Sequence, residues 1–229
     1  MNTALPSGDE KMRTVRHMFD EIAPSYERVN RVLTFGLDAR WRVATLRRMQ
    51  LPIGSRVLDL ACGTGDFCRL LTTAGHRPIG VDLSMGMLQN ARTESPLVQA
   101  DVLHLPFADD SVDGVTCGFG LRNFVELPGF FDEVARVVRP GGRVAFLDAY
   151  NPSFPPLRWG HTLYFGKMVP RIGALLSGNR HAYEYLPKSV SYMPPPAEVV
   201  EQIQSAGFRE VRRQAFLGGS AHTFFATAA

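Results

Sequence analysis

The chain has 229 residues, of which 45% are hydrophobic, and its formal net charge is +3. This length and composition suit one globular domain with a full core. No dense Lys/Arg run is present, so nucleic-acid binding is not indicated, whereas weak attraction to an anionic membrane surface is left open. No apolar stretch reaches the ~20 residues of a membrane-spanning helix, and none near the first residues resembles a secretion signal.

The three cysteines, Cys62, Cys68 and Cys117, do not form a metal-binding pattern. No histidine or cysteine pair completes a zinc site with them, so no metal is expected. A low and odd number of cysteines is typical of a reducing compartment, which predicts a cytoplasmic location.

Helices and strands are predicted to alternate along most of the chain. Two helices, Lys11–Ile22 and Ala39–Met49, come first, with an aromatic and polar connector between them. Strands are then predicted at 56–60, 78–82, 97–101, 112–117 and 139–148, and helices at 66–73, 84–92 and 127–138. Strands that alternate with helices predict a parallel sheet in an α/β fold.

The last third of the chain departs from this alternation. Residues 151–179 are rich in proline and aromatic side chains, which indicates an insertion over one end of the sheet. A helix that Gly207 closes precedes two strands, 209–216 and 221–228, whose short connection makes them antiparallel neighbours. The predicted units are a helical cap (1–50), an α/β core (51–150), an insertion or lid (151–195), and a helix with a hairpin that completes the core (196–229).

The segment VLDLACGTGDF (57–67) connects a predicted strand to a predicted helix. Gly63 and Gly65 allow a tight turn that a ligand approaches closely, and the following helix presents free N–H groups. Asp82 and Asp101 end the next two strands, where carboxylates accept from ribose hydroxyls and from an exocyclic amine. These residues predict a nucleoside-binding edge. For Asp59, a ligand contact and a local loop hydrogen bond are both compatible with the pattern.

A dinucleotide site is disfavoured because GTGDFC lacks the third glycine of G-x-G-x-x-G. With its two strand-end acids and the RPGG turn, the D-x-x-x-G-x-G pattern resembles class I S-adenosylmethionine (SAM) methyltransferases. The resemblance implies a Rossmann-like, mostly parallel seven-stranded sheet with an antiparallel C-terminal hairpin and helices on both faces. It also implies SAM as cofactor, bound by Asp59, Ala61, Gly63, Thr64, Gly65, Asp82, Leu83, Met87, Asp101, Val102 and Gly118.

Longer segments make the resemblance more specific. They are FDEIAPSYERVNRVLTFGLDARWR (19–42), LDLACGTGDF, GVDLSMGML, LPFADDSVDGVTCGFGLRNF, ARVVRPGGR and YEYLPKSVSYMP (183–194). Together they resemble the ubiquinone/menaquinone-biosynthesis C-methyltransferase family over nearly the whole chain, and FGLRN and Y-x-Y-L-x-x-S are the most distinctive. The resemblance implies methyl transfer from SAM to a ring carbon of a prenylated quinol, most commonly demethylmenaquinol to menaquinol.

The chain also departs from the family pattern on the substrate side. Glu27 replaces an aspartate, Gly118 stands where many members have serine, and the insertion and the C-terminal GGSAHTFFATAA diverge. Two other hypotheses therefore stay open. One is C- or O-methylation of a soluble phenol or polyketide metabolite, and the other is a SAM-binding scaffold subunit without turnover.

Carbon methylation requires a nucleophilic ring carbon, which a quinol provides once a hydroxyl loses its proton. The resemblance implies that Arg122 and Asn123 are catalytic. Asn123 is expected to hold a hydroxyl, and Arg122, whose pKa above ~12 makes it a poor base, to assist deprotonation through a water. The alternative for Arg122 is a structural salt bridge with Glu126 or Asp132.

Histidines are rival bases, since their ordinary pKa lies near ~6.5. His161 and His181 are the two nearest the expected acceptor pocket. The aromatic insertion is interpreted either as an ordinary lid or as an entrance for a prenyl tail, with peripheral contact at the inner face of the membrane. The oligomeric state is left open, a homodimer included. The predicted acceptor-binding residues are Tyr26, Asn30, Phe35, His161, Tyr164, His181 and Tyr185.

Overall fold

The computed structural model describes residues 8–229, apart from the side chains of residues 180, 181 and 187. Within this part of the chain, seven strands form one sheet in the order β3-β2-β1-β4-β5-β7-β6. The first five strands run parallel, and β7 lies antiparallel between β5 and β6, which confirms the predicted fold class. The strands are β1 (Arg56–Leu60), β2 (Arg77–Asp82), β3 (Leu97–Gln99), β4 (Val112–Gly118), β5 (Val138–Ala149), β6 (Arg209–Phe216) and β7 (Ala221–Thr227).

Helices cover both faces of the sheet because the strands are apolar on both sides, as buried parallel strands are. Leu58 joins a core with α5 and α9 on one face, whereas its neighbour Val57 joins a core with α3 on the other. The helices are α1 (Gly8–Leu33), α2 (Leu37–Met49), α3 (Asp66–Thr73), α4 (Met85–Gln89), α5 (Pro128–Val137), α6 (Pro155–Leu163), α7 (Val169–Ser177), α8 (Arg180–Ser189) and α9 (Pro196–Ser205), and a π-helical turn, Tyr164–Met168, joins α6 to α7.

The prediction of a long connector between two N-terminal helices was wrong. Helix α1 runs without a break from Gly8 to Leu33, and only residues 34–36 separate it from α2. Pro24 removes one backbone N–H from the helix, but Val29 and Leu33 beyond it are buried. This burial continues the helix past the proline, because tertiary packing outweighs local propensity.

The segment that the sequence marks as an insertion packs on α1 rather than on the sheet alone. Val29 and Leu33 of α1 share an apolar cluster with Val169 of α7 and Tyr183 of α8. Gly173 makes this packing possible, because a Cβ at that position would lie 2.1 Å from the Tyr183 ring. None of the helices within residues 8–229 combines the length and apolar content that crossing a bilayer requires.

Candidate active site

The turn after β1 is shaped by left-handed backbone and held by the end of β2. Gly63 and Gly65 have φ angles of 55° and 87°, which favour glycine over residues that carry a Cβ. Asp82 accepts a hydrogen bond from the Gly63 N–H at 2.8 Å and another from the Ser84 N–H at 2.9 Å. One carboxylate therefore fixes the loops after both strands.

A cavity opens above this turn at the carboxyl ends of the strands. The Tyr26 ring and the Met87 sulfur lie 3.8 and 4.0 Å from where a Gly63 Cβ would stand, so a side chain at Gly63 would fill the space between them. We call this space the cofactor cavity. It brings together many of the predicted site residues, namely Tyr26, Ala61, Gly63, Asp82, Leu83, Met87, Asp101, Val102, Gly118 and Asn123.

Three predicted cofactor residues lie behind the cavity rather than on its wall. Asp59 is buried, and its carboxylate accepts from the Thr116 hydroxyl at 2.9 Å and from the Cys68 thiol at 3.5 Å. Burial raises its pKa to about 7. Thr64 is also buried, and a Cβ on Gly65 would come within 2.8 Å of Thr93. These positions support the turn from below, and for Asp59 the local hydrogen bond is the interaction that is seen.

The walls of the cofactor cavity fit a nucleoside with a cationic sulfonium. Burial raises the pKa of Asp82 to about 6, while the Ser84 and Gly63 N–H groups stabilise its ionised form. Asp101 accepts from the Leu103 N–H at 3.0 Å through one oxygen. Carboxylates at the ends of adjacent parallel strands are the acceptors that ribose hydroxyls and an exocyclic amine require. The donor set therefore fits SAM, as the sequence predicted.

Helix α1, which belongs to the predicted helical cap, contributes apolar side chains to the cofactor cavity that the sequence analysis did not single out. Met12, Val15 and Phe19 line the cavity. Asp20 accepts from the Ser84 hydroxyl at 2.6 Å and from the Gly86 N–H at 2.8 Å, so it ties α1 to the first turn of α4. The segment FDEIAPSY carried a signal for Asp20, since this residue lies only six positions before Tyr26, which the sequence analysis predicted to bind the acceptor.

A second cavity adjoins the first. Tyr26 and Phe119 line both, so these two rings form the partition between them. We call the second space the acceptor cavity. Phe119 holds a left-handed backbone conformation with φ 65°, which is uncommon for a residue with a large side chain. Among the predicted acceptor and catalytic residues, Tyr26, Asn30, Phe35, Arg122, His161 and Tyr164 line it.

Arg122 is buried and is paired with Asp148 instead of the predicted alternatives Glu126 and Asp132. Its Nη1 donates to Asp148, and its Nε donates to the Ser189 hydroxyl at 3.2 Å. Burial lowers the pKa of Arg122, but Asp148, Tyr26 and Tyr185 together raise it, so the net pKa lies above its ordinary value. Arg122 is therefore a fixed cation in the acceptor cavity and cannot act as a base.

Asn123 faces the cofactor cavity from the turn after Phe119. Its amide donates to the Phe119 carbonyl at 3.4 Å, and its oxygen accepts from the Tyr185 hydroxyl at the same distance. Tyr185 is not among the residues that line the acceptor cavity; it contacts Asn123, which lines the cofactor cavity. Both predicted catalytic residues thus meet at the partition between the cavities, on opposite sides of it.

The remaining predicted acceptor residues differ in how firmly they are held. Tyr164 donates to the Leu33 carbonyl at 2.9 Å, and Phe35, which is 77% exposed, lies against the Tyr164 ring. His161 stacks on Phe165 with 4.2 Å between ring centroids, and burial lowers its pKa. His161 is therefore neutral at physiological pH. His181 falls on α8, and its side chain lies outside the described part of the chain.

Arg42 is a second buried cation in the acceptor cavity that the sequence analysis missed. It pairs with Asp38 at 3.0 Å and with Asp66 at 3.6 Å. Its guanidinium carbon lies 4.9 Å from the centre of the Phe119 ring, and that of Arg122 lies 5.8 Å from it. The partition ring is thus flanked by two cations. Among the side chains that the structure describes, no cluster of three His, Cys, Asp or Glu is arranged to hold a metal ion.

The strand order, the glycine turn and the strand-end carboxylates define a class I SAM-dependent methyltransferase. A search of protein-family models matches residues 7–228 to the ubiE/COQ5 methyltransferase family. The chain belongs to that family, and SAM is its cofactor.

Relatives and solved structures agree with this assignment. Proteins named demethylmenaquinone methyltransferase from Roseiflexus sp. (strain RS-1) and Roseiflexus castenholzii are 39% and 40% identical to the chain. They cover 96% and 97% of it, and 97% and 98% of their own lengths are matched. A solved SAM-dependent methyltransferase from Thermotoga maritima is 18% identical, covers 93% of this chain and 99% of its own, and has a TM-score of 0.68, which supports the fold alone.

Proposed function

We propose that the protein methylates a ring carbon of demethylmenaquinol to give menaquinol. The observation that carries the proposal is the pair of cavities that meet at Tyr26 and Phe119. One cavity is lined by the carboxylates Asp82 and Asp101, and the other contains the buried cation Arg122. The names of the Roseiflexus relatives support this acceptor over a soluble phenol or a scaffold role.

The cofactor cavity would orient SAM through groups that are already fixed. Asp82 would accept hydrogen bonds from the ribose hydroxyls, and Asp101 would accept one from the adenine amine. Because Gly63 has no side chain, the cofactor could lie close to the turn. When bound, SAM supplies a methyl group on a positively charged sulfur. Helix α1 excludes water above it, since Met12, Val15 and Phe19 form an apolar ceiling.

The acceptor cavity would stabilise the ionised quinol. A quinol oxygen that has lost its proton pushes electron density onto the adjacent ring carbon. Arg122 is suited to hold that oxygen, because Nη1 and Nε are bound by Asp148 and Ser189 while no protein partner occupies Nη2 among the described residues. A preorganised cation in a buried site stabilises developing negative charge strongly.

Asn123 and Tyr26 would position the ring relative to the methyl group. Asn123 is held by Tyr185 and by the Phe119 carbonyl, so its amide has little freedom to turn. The Tyr26 ring stands between the cavities and keeps the acceptor in line with the cofactor. Fixed orientation of this kind supplies much of the rate in a displacement reaction.

The hydroxyl proton of the quinol would pass to a water that Arg122 orients. Arg122 cannot take the proton, since Asp148 holds its pKa above the ordinary value. His161 is the competing acceptor, because it lines the cavity and its lowered pKa keeps it neutral. The His161–Phe165 stack favours a packing role for this ring.

The location of the reaction follows from the acceptor. A prenylated quinol resides in a bilayer, so the protein would work in the cytoplasm at the inner face of the membrane, as a peripheral protein. The α1–α2 cap would cover SAM, and residues 151–195 would form the lid over the acceptor.

The test is methyl transfer from labelled SAM to reduced and to oxidised demethylmenaquinone. A methylated product from the quinol and none from the quinone would support both the acceptor and the oxyanion mechanism. Arg122→Lys keeps the charge but loses the fork geometry, and we expect turnover to fall about 100-fold with SAM affinity unchanged. Methylation of a soluble phenol with no quinol product would contradict the proposal.

A further inference from the structure

A band of exposed apolar side chains surrounds the mouth of the acceptor cavity. Phe35 and Leu217 line the cavity and are also 77% and 55% exposed. The α6 helix contributes Leu157 to the wall and exposes Trp159, its neighbour but one. We define the apolar rim as Phe35, Phe154, Trp159, Leu163, Met168 and Leu217, which are between 42% and 77% exposed.

Half of the rim lies on α6 and the π-helical turn after it, which pack loosely on the rest of the protein. Neither α6 nor the π-helical turn after it has a single buried residue. Both are nevertheless apolar, with Trp159, Leu163 and Met168 among their side chains. A surface helix normally buries its apolar stripe against the core. An amphipathic helix that leaves this stripe outside is typical of one that lies in a bilayer interface.

The charge of the segment is one-sided. Between Asp148 and Glu184 the sequence has no acidic residue, while it has the cations Arg158, Lys167, Arg171 and Arg180. Lys167 and Arg171 are exposed, and no ion pair involves them within residues 8–229. Anionic lipid head groups attract such basic segments. A protein partner usually presents charges of both signs and would not require a segment that has no acidic residue.

We propose that the apolar rim docks on an anionic lipid bilayer. Trp159 and Leu163 enter the interface, and Lys167 and Arg171 meet the lipid phosphates. The acceptor cavity then opens directly into the lipid, so that a membrane-dissolved acceptor enters without crossing water. This inference names the partner of the proposed function and rests on it, because it supposes an acceptor with a lipid tail.

Vesicle sedimentation tests the apolar part of the rim. The full chain is mixed with phosphatidylcholine vesicles, with and without phosphatidylglycerol. We expect Trp159→Ser with Leu163→Ser to weaken binding to the mixed vesicles at least 10-fold. The matched control is Ile53→Ser, because Ile53 is 87% exposed and lies just before β1. It is therefore at the amino ends of the parallel strands, whereas the cofactor cavity opens at their carboxyl ends. Equal binding by the rim variant and the wild type would overturn the proposal.

Charge reversal tests the basic part. Lys167→Glu with Arg171→Glu is expected to reduce binding to anionic vesicles several-fold and to leave binding to neutral vesicles unchanged. Arg212→Glu with Arg213→Glu is the control, since those arginines lie on the edge strand β6. If rim variants change the oligomeric state of the protein and not its vesicle binding, the rim is a contact between copies and the lipid proposal falls.

Activity separates this inference from the proposed function. With a short-chain, water-soluble demethylmenaquinol, the rim variants should turn over at the wild-type rate, because Trp159 and Leu163 do not line the acceptor cavity. With a long-chain acceptor embedded in anionic vesicles, they should lose at least 10-fold. Equal rates in vesicles would refute docking and leave the function standing. Absence of any quinol methylation would refute the function, while vesicle binding would still be measured independently.

Discussion

The two cavities that meet at Phe119 are built in different ways. The cofactor cavity takes its polar walls from short turns after parallel strands, where Asp82 is fixed by two backbone N–H groups. The acceptor cavity is assembled from α1, α2, α6 and the loops around Arg122 and Leu217, which are far apart in the chain. The first is encoded locally, whereas the second exists only when the whole chain is folded.

The charges in the two cavities are also balanced differently. Asp82 depends on backbone groups that any sequence would supply, whereas Arg122 depends on one particular side chain, Asp148. A substitution in the cofactor cavity should therefore change ligand binding first. A substitution at the centre of the acceptor cavity should change stability as well as catalysis. The four predictions below test this distinction.

The largest effect is expected for Arg122→Met. It leaves Asp148 fully buried without its counterion, which costs about 3–5 kcal/mol of unfolding free energy. Turnover should fall about 100- to 1,000-fold because the oxyanion loses its cation. Urea denaturation and single-turnover kinetics measure the two effects. The double variant Arg122→Met with Asp148→Leu should recover stability but not turnover, and a stable single variant would contradict this account of the ion pair.

A pH effect is expected below the cofactor turn. The folded-state pKa of Asp59, about 7, lies above its ordinary value of 3.8 because of burial. The folded protein thus binds the Asp59 proton more tightly than the unfolded chain does. The unfolding free energy that this proton contributes is fully present below a pH of about 4 and is lost as the pH rises to about 7. Asp59→Asn should remove this loss, on the order of 2–4 kcal/mol, as urea denaturation across that pH range would reveal. Parallel pH profiles for the two proteins would refute it.

A smaller effect is expected for Asp20→Ala. The change removes the acceptor for the Ser84 hydroxyl and the Gly86 N–H, and so loosens α1 from α4. We expect a loss of about 1–2 kcal/mol in unfolding free energy and weaker SAM binding by calorimetry. Asp20→Asn, which keeps one acceptor oxygen, is the control. Its unfolding free energy and its SAM affinity should lie between those of the wild type and those of Asp20→Ala. Unchanged SAM affinity would mean that α1 does not hold the cofactor.

The smallest effect is expected for His161→Ala. If His161 only packs on Phe165, turnover with a soluble acceptor should fall by less than about 10-fold, which is below the usual contribution of a general base. His161→Phe should restore the packing and the rate. A loss above about 100-fold that His161→Phe does not rescue would make His161 the base, and would remove the water from the proposed mechanism.

Features that depend on local structure could be predicted from the sequence, whereas features that depend on long-range contacts could not. Asp82, Asp101 and the glycine turn could be placed because each lies at the end of a predicted strand. The fold class and the hairpin could be placed for the same reason. The pairing of Arg122 with Asp148 could not, because the residues are 26 positions apart and join only through the pairing of β4 with β5.

The unbroken helix α1 shows the limit of local signals. The aromatic and polar composition after Ile22 predicted a connector, yet Val29 and Leu33 meet Tyr183 and Val169 only in the folded chain. Arg42 was missed for a related reason, since a buried arginine looks like a surface residue until its partners Asp38 and Asp66 are brought around it.

The position of β7 between β5 and β6 has a consequence for how the protein is made. On a ribosome, β6 emerges before the strand that must separate it from β5, so neither can complete the sheet until β7 has left the exit tunnel. Asp148 stands opposite His222 in that late pairing. The strand that carries Asp148, the partner of Arg122, therefore gains its second neighbour only after β7 has been made, later than the strands β1 and β2 that hold the cofactor turn.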